Sequence, residues 1–307
     1  MDLDVNTFLL KKKFVFTDID LDGSMSYLVF SWLTGHSDIP YSTVRVNDCR
    51  SAFSNWLKTN NPKKYDQIYV FDLDTSDCID LIDLPNVVII DHHTSHVENK
   101  DKYKKAKTFI TEQSSCCKHI YNLLHKKVDN KLTDQQKHLL LLADDYDCYK
   151  LALKDTLSLN FLFRNYQGDR LRKFINDFGD GFSGFTEDQN AIIRFYHNKL
   201  NSIKSELQIH AANIPIKKKT YKFVSTFAND CINEVAEHII KDNRADVGLV
   251  VNLKSNKVSF RKNKSVDLDL SQLAQKLSDE GGGHKYAAGG SIGSKFLQFT
   301  KLFKPVS

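Results

Sequence analysis

No apolar run in these 307 residues approaches the roughly 18 to 20 that a membrane-spanning helix requires, so no such helix is expected. The six cysteines (Cys49, Cys78, Cys116, Cys117, Cys148, Cys231) show no CxxC spacing, which argues against structural zinc and against a disulfide scaffold. Reduced thiols in a cytoplasmic protein are the expectation. The opening stretch "MDLDVNTFLLKKKF" is acidic before it is basic and lacks the order of a secretory signal. Internal repeats and low-complexity tracts are missing too. Charge imbalance is slight, 43 basic against 38 acidic residues for a formal +5, which permits a phosphate-rich ligand without requiring one. What remains is 41% hydrophobic and 26% charged, enough to bury the cores of two globular domains.

Through about residue 150 the chain alternates short apolar strands with helical patterns. "KFVFT" (13–17), "STVRV" (42–46), "DQIYVFD" (66–72) and "NVVIID" (86–91) read as strands, with helices through "SMSYLVFSWL" (24–33) and from Cys49 onward. Strands separated by helices imply right-handed βαβ units and a mainly parallel sheet. From 114 to about 180 the pattern is helical, opening on Ser and Thr caps. The segment 186–213 contains neither Gly nor Pro, starts with a capping box at Thr186 and Gln189, and reads as one long helix joining two domains. After Pro215 a strand, a helix, two strands and a helix lead into "GGGHKYAAGG", the pattern of a small mixed α/β domain. The expected division is 1–185, a connecting helix over 186–213, and 214–307.

The chemistry gathers where strands end. In "VVIIDHHTSH" (87–96) a β-branched run delivers Asp91, His92 and His93 into a loop, where open α/β folds place ligand sites. In "TDIDLDG" (17–23), Asp18, Asp20 and Asp22 alternate after another strand, and three carboxylates facing one way repel unless a hard cation neutralises them. An EF-hand is disfavoured because the twelfth position from Asp18 is Val29. "FDLDTSD" adds Asp72 and Asp74 as ligands, unless the segment only caps the next helix through Asp74, Thr75 or Ser76. "LLLLADDYDCY" places Asp144, Asp145 and Asp147 at the end of an apolar helix, with Asp144 and Asp147 on one face. Four acidic clusters with histidines suggest a two-metal site that activates water against phosphorus. In "GGGHKYAAGG" consecutive glycines can adopt positive φ and let backbone N–H groups surround a phosphate. The basic runs 100–107 and 216–222 read first as solvated faces and second as contacts to a nucleic-acid backbone.

"TDIDLDG", "FDLD", "DHH", "ADDYD" and "GGGHKYAAGG" occur in this order, and the chain thereby resembles the DHH phosphoesterase superfamily from about residue 12 to 303. It looks like the branch with a C-terminal DHH-associated domain, which includes RecJ exonucleases and NrnA-type nanoRNases. The resemblance implies a parallel-sheet α/β DHH domain, a long helix and a smaller mixed α/β domain, with the active-site cleft between them. It assigns Asp18 and Asp20 to one metal, Asp22 to the other, and Asp72 (or Asp74) as the bridge. Asp91 orients the site, His92 ligates metal, and His93 contacts the scissile phosphate. The fourth motif supplies Asp144 or Asp147. Many relatives have His where Asp18 stands, whereas RecJ-like members have Asp; the more negative site suits two Mn²⁺ ions, or Mg²⁺. Gly282, Gly283 and His284 would hold the substrate end, with Arg261 as a second phosphate contact through its planar fork.

The implied activity is hydrolysis of short oligonucleotides or single-stranded ends to mononucleotides. A RecJ-like 5′→3′ exonuclease, and a catalytically silent nucleic-acid-binding protein, are the alternatives. A homodimer is the assembly carried forward as an expectation.

Overall fold

Strands that are apolar at every position need cover on both faces. The computed structural model describes residues 12–263, 265–278, 280–283 and 285–305, and it supplies that cover. The chain divides into two compact units, Met1–Ile193 and Arg194–Ser307.

In the first unit β1 (Lys13–Asp18) leads into α1 (Leu21–Thr34), β2 (Tyr41–Val44), α2 (Cys49–Thr59), β3 (Gln67–Phe71), the single turn α3 (Ile79–Ile82) and β4 (Val87–Asp91). The short α4 (Thr94–Asn99) and β5 (Lys107–Ile110) follow, then α5 (Cys116–Leu124), α6 (Asp134–Asp147), α7 (Thr156–Asn165) and α8 (Arg170–Phe178). The sheet order is β2-β1-β3-β4-β5, with every pairing parallel. Successive strand residues alternate between two cores. Val15, Tyr69, Phe71, Val88 and Ile90 pack with α1, α5 and α6, while Phe16, Ile68, Val70, Val87 and Ile89 pack with Phe53 of α2. The strand order reverses between β1 and β3, so their carboxyl ends open the crevice in which such folds place ligands. Asp18, Asp72 and Asp91 stand at the ends of β1, β3 and β4.

Gly23 lets α1 lie close against β1. A Cβ there would stand 2.5 Å from the backbone oxygen of Asp18. The Gly23 carbonyl accepts from Thr17 Oγ1 at 2.6 Å.

A long helix, α9 (Glu187–Ser205), follows, opened by the Thr186–Gln189 capping box. It ends eight residues before the expected 213. Residues 210–216 instead form β6 (His210–Ile216), which pairs antiparallel with β7 (Lys219–Phe227) along its whole length. Strand pairing overrides the helical pattern there.

The second unit continues with α10 (Ile232–Asp242), β8 (Val247–Asn252), β9 (Lys257–Lys262), α11 (Leu270–Leu277), β10 (Gly282–Gly283), β11 (Ala287–Ser291), α12 (Ser294–Thr300) and β12 (Lys304–Pro305). Its sheet order is β10-β11-β9-β8-β7-β6-β12, mixed, and among the described residues only the β7–β8 pair is parallel. Leu249, Phe260, Leu270, Ala274 and Phe296 form its core under α11 and α12. Among the described residues no helix is long and apolar enough to cross a membrane.

Candidate metal centre

Asp18 closes β1, and Asp20 is the N-cap of α1, accepting from Gly23 N at 2.9 Å. Two residues on, Asp22 is buried, and each of its oxygens takes a backbone N–H from the start of α5. Cys116 N donates at 2.7 Å and Cys117 N at 3.0 Å. A carboxylate at a helix N-terminus is favoured by the helix dipole as well as by these bonds. Asp72 follows β3 in the left-handed region, φ 57°, a conformation that costs a non-glycine residue and points to a functional constraint. His92 faces three of these acids through Nε2: Asp72 Oδ1 at 3.2 Å, Asp147 Oδ2 at 3.5 Å and Asp22 Oδ2 at 3.6 Å.

Three overlapping groups result, each with its ligand atoms within 4.8 Å of one another: Asp18/Asp20/Asp72, Asp72/His92/His93 and Asp22/His92/Asp147. Asp72 and His92 are the shared members. Burial, with Asp20 next, raises the Asp18 carboxyl to about 8. Burial also raises Asp22, although His92 opposes it. Asp72 and Asp147 are pushed well above the usual range by burial and then by the neighbouring acids Asp22 and Asp20. Asp72 Oδ1 and Asp147 Oδ2 are buried with no hydrogen-bond partner among the described residues. Clustered, underbonded carboxylate oxygens with one imidazole match the donor preferences of Mn²⁺ or Mg²⁺.

Asp91 is fully buried and accepts from two imidazoles, His93 Nδ1 at 2.8 Å and His96 Nδ1 at 2.6 Å. Burial alone would raise its carboxyl, but the two histidines hold it well below the usual range. Conversely, burial would lower His93, but Asp91 raises it to about 10. The far nitrogen of His96 meets Tyr103 Oη at 2.8 Å, which in turn meets Thr75 Oγ1 at 2.7 Å.

Comparisons with known proteins bear on the fold that carries this cluster. A DHHA1 domain model matches residues 217–304. A solved DHH domain, from a protein described as belonging to a family of ribosomal proteins, aligns with TM-score 0.64 and 12% identity over 96% of this chain and 86% of that one. The chain is similar in fold to this DHH domain, and its residues 217–304 match the DHHA1 domain. The pGpG-specific phosphodiesterase PggH of Vibrio cholerae aligns with TM-score 0.58 and 12% identity over 95% of this chain and 96% of that one. RecJ of Thermus thermophilus in complex with Mn²⁺ gives TM-score 0.53 and 14% identity, over 94% of this chain and 51% of RecJ. No curated protein sequence matches.

Within the first unit two alternatives left by the sequence separate. Asp147 faces His92, whereas Asp144 is taken by Ser115 Oγ at 2.8 Å and Lys150 Nζ at 2.6 Å, so Asp144 is a clamp between α5 and α6 and not a member of the cluster. Likewise Asp72 joins the cluster, while Asp74 accepts from Ser76 N at 2.9 Å and from Ser95 Oγ. Asp145 accepts from Ala152 N and Leu153 N, both at 3.0 Å, and from Thr156 Oγ1 at 2.6 Å, tying the loop before α7.

In the DHHA1 unit Arg261 on β9 pairs in register with Ala287 on β11, and Gly283 on β10 with Ala288, so one sheet edge carries them together. Gly282 and Gly283 are strand residues, not an open loop, because their backbones pair with β11. Gly283 has φ 128°, and a Cβ would stand 2.7 Å from Ala287 O. Arg261 donates to Asn233 Oδ1 at 2.6 Å. His284 lies outside the described residues. His96, Tyr103 and Thr75 are the site residues that sequence reasoning missed. The only signal was a third histidine five residues after Asp91.

Proposed function

We propose that the chain hydrolyses phosphodiester bonds of short oligonucleotides or single-stranded nucleic-acid ends, releasing mononucleotides, with two divalent cations held by the first unit. The observation that carries this reading is the three overlapping acid–histidine groups at the ends of β1, β3 and β4 and of α6. Asp18, Asp20 and Asp72 would hold one cation, and Asp22, His92 and Asp147 the other, with Asp72 adjoining both. When bound, such ions stabilise charge on phosphoryl oxygens and provide a nucleophilic water at neutral pH. The RecJ structure's Mn²⁺ supports that choice of ion.

His93 has a different task. Asp91 Oδ1 accepts its Nδ1 proton, which fixes the ring and leaves Nε2 for the substrate, and Asp91 favours the protonated ring. A positioned imidazolium can contact a phosphate oxygen or protonate the leaving oxygen. Arg261, Gly282, Gly283 and His284 of the second unit would bind the substrate's other end. A fold match across nearly the whole of a pGpG-specific phosphodiesterase supports short substrates over long ones.

The test is incubation with labelled substrates from dinucleotide to 40-mer, in both sugars, at fixed Mn²⁺ and with EDTA controls. EDTA-sensitive turnover fastest on two to five residues is the expected result. Preference for the 40-mer would move the reading to a RecJ-like exonuclease. Binding without turnover would make the chain a nucleic-acid-binding protein.

A further inference from the structure

The second unit has a basic groove of about 590 Å³ on the side of the β6–β7 turn, α11 and the segment after β10. Lys217 and Lys218 come from the turn, Lys219 from the start of β7, Lys276 from α11, and Lys285 from the connection between β10 and β11. All five are exposed. Two acids share the lining, Asp267 and Asp269. Asp269 is already committed as the N-cap of α11, accepting from Ser271 N at 2.9 Å and Gln272 N at 3.2 Å. Asp267 lies 3.9 Å from Lys285 Nζ. The groove therefore presents five ammonium groups against one carboxylate not spent on a helix cap.

Its floor is less polar. Tyr221, Leu268 and Leu273 are half-buried there, and Tyr221 Oη donates to the Asp267 carbonyl at 3.1 Å, which fixes the ring. A lysine rim over a partly apolar floor suits a chain that alternates phosphates with sugar and base faces. A second observation sets where such a chain would come from. Leu270 N donates to the Lys285 carbonyl at 3.1 Å, tying the segment after β10 to the start of α11. The groove thus begins two residues from Gly283.

We propose that this groove binds the backbone of a single-stranded nucleic acid beyond the residues held at the glycine segment, so that the second unit measures strand length. The inference rests on the oligonucleotide reading above for its starting point. It differs in its prediction: the groove lysines serve strands longer than a dinucleotide and are dispensable for the shortest substrates.

The experiment reads binding without turnover. The full chain in EDTA is titrated into 5′-fluorescein single strands of two, five, ten and twenty nucleotides, followed by anisotropy, beside the triple variant Lys218→Gln, Lys219→Gln, Lys276→Gln. Affinity of the unsubstituted chain should rise from two to ten nucleotides. The triple variant should lose about tenfold or more on the ten-mer and bind the two-mer equally well. Because each phosphate contact on a single strand contributes about 0.7 to the salt slope of log K, the slope should shrink by about 2. Equal affinities and slopes for both proteins on the ten-mer would overturn the proposal. So would equal competition by a polyglutamate peptide of matched charge, which would make the groove a general polyanion face. Mn²⁺-dependent hydrolysis of a dinucleotide, assayed separately on both proteins, keeps the outcomes apart. Its absence in the unsubstituted chain counts against the enzyme reading alone, and its loss only in the triple variant counts against the groove.

Discussion

His96 is completely buried and donates from Nδ1 to Asp91 Oδ2 at 2.6 Å, so the aspartate that orients His93 is itself held from behind. Its other nitrogen engages Tyr103, and Tyr103 engages Thr75, which lies just after β3. The ends of two neighbouring strands are thereby tied through one imidazole. Removing His96 leaves the buried Asp91 Oδ2 without its hydrogen-bond donor, at a cost of about 1–3 kcal/mol. His96→Phe should lower unfolding stability by that order in urea titrations, and Tyr103→Phe by about 1 kcal/mol, the worth of one hydrogen bond. An unchanged urea midpoint in His96→Phe would remove this role.

Asp144 and Asp147 should part company on substitution. Asp147→Asn takes a charge from a crowded, underbonded site, so activity and Mn²⁺ affinity should fall by about a hundredfold or more while stability holds or rises. Asp144→Asn weakens the bonds to Ser115 and Lys150, at about 1–3 kcal/mol of stability, with a smaller effect on Mn²⁺ affinity. Calorimetric Mn²⁺ titration and thermal melts of both variants decide it, and the reverse pattern would exchange the two assignments.

His92 and His93 should also separate. His92 Nε2 faces three carboxylates and is the ligand candidate, so His92→Ala should regain part of its activity at excess Mn²⁺. His93 leans on Asp91, so His93→Ala should lower kcat without such rescue. Superimposable Mn²⁺ titrations of the two variants would contradict the division.

The metal-free protein should lose stability as pH rises. Asp18 is raised from 3.8 to about 8, and Asp22, Asp72 and Asp147 are raised as well, in each case chiefly by burial. A carboxyl with a raised folded pKa binds more protons folded than unfolded, so stability falls as pH climbs from its unfolded value through its folded one. His93, raised to about 10 by Asp91 against the effect of burial, contributes in the same direction above its ordinary value of 6.5. In EDTA, Tm should therefore drop by several degrees between about pH 5 and pH 8. Saturating Mn²⁺ should abolish most of that drop. A Tm that climbs over this interval in EDTA would show that the cluster is not repulsive.

Much of this site was legible because β1, β3 and β4 are apolar at consecutive positions and their acids follow directly. What escaped depends on contacts remote in sequence. Whether Asp144 or Asp147 faces the cluster is decided by where Ser115 lies, 29 residues before Asp144. His96 looks like part of a polar turn until Tyr103 comes round to meet it. Gly23 is a helical residue whose close approach to Asp18 only the folded packing reveals. Strand β5 is hidden in a lysine-rich run because an edge strand with one paired side needs few apolar residues. The helical periodicity beyond Ser205 lost to the pairing of β6 with β7, which no local pattern registers.

The hydrogen bonds from Cys116 and Cys117 to Asp22 span 94 and 95 residues of chain. Asp147 enters later still. Closing such long loops costs entropy before any contact compensates it, and parallel sheets delay the return further. The acid–histidine cluster is therefore expected to assemble late in the folding of the first unit, because its acids converge only once these remote segments have met. Stopped-flow refolding with Mn²⁺ present would accordingly accelerate little and stabilise late, slowing unfolding far more than it speeds folding.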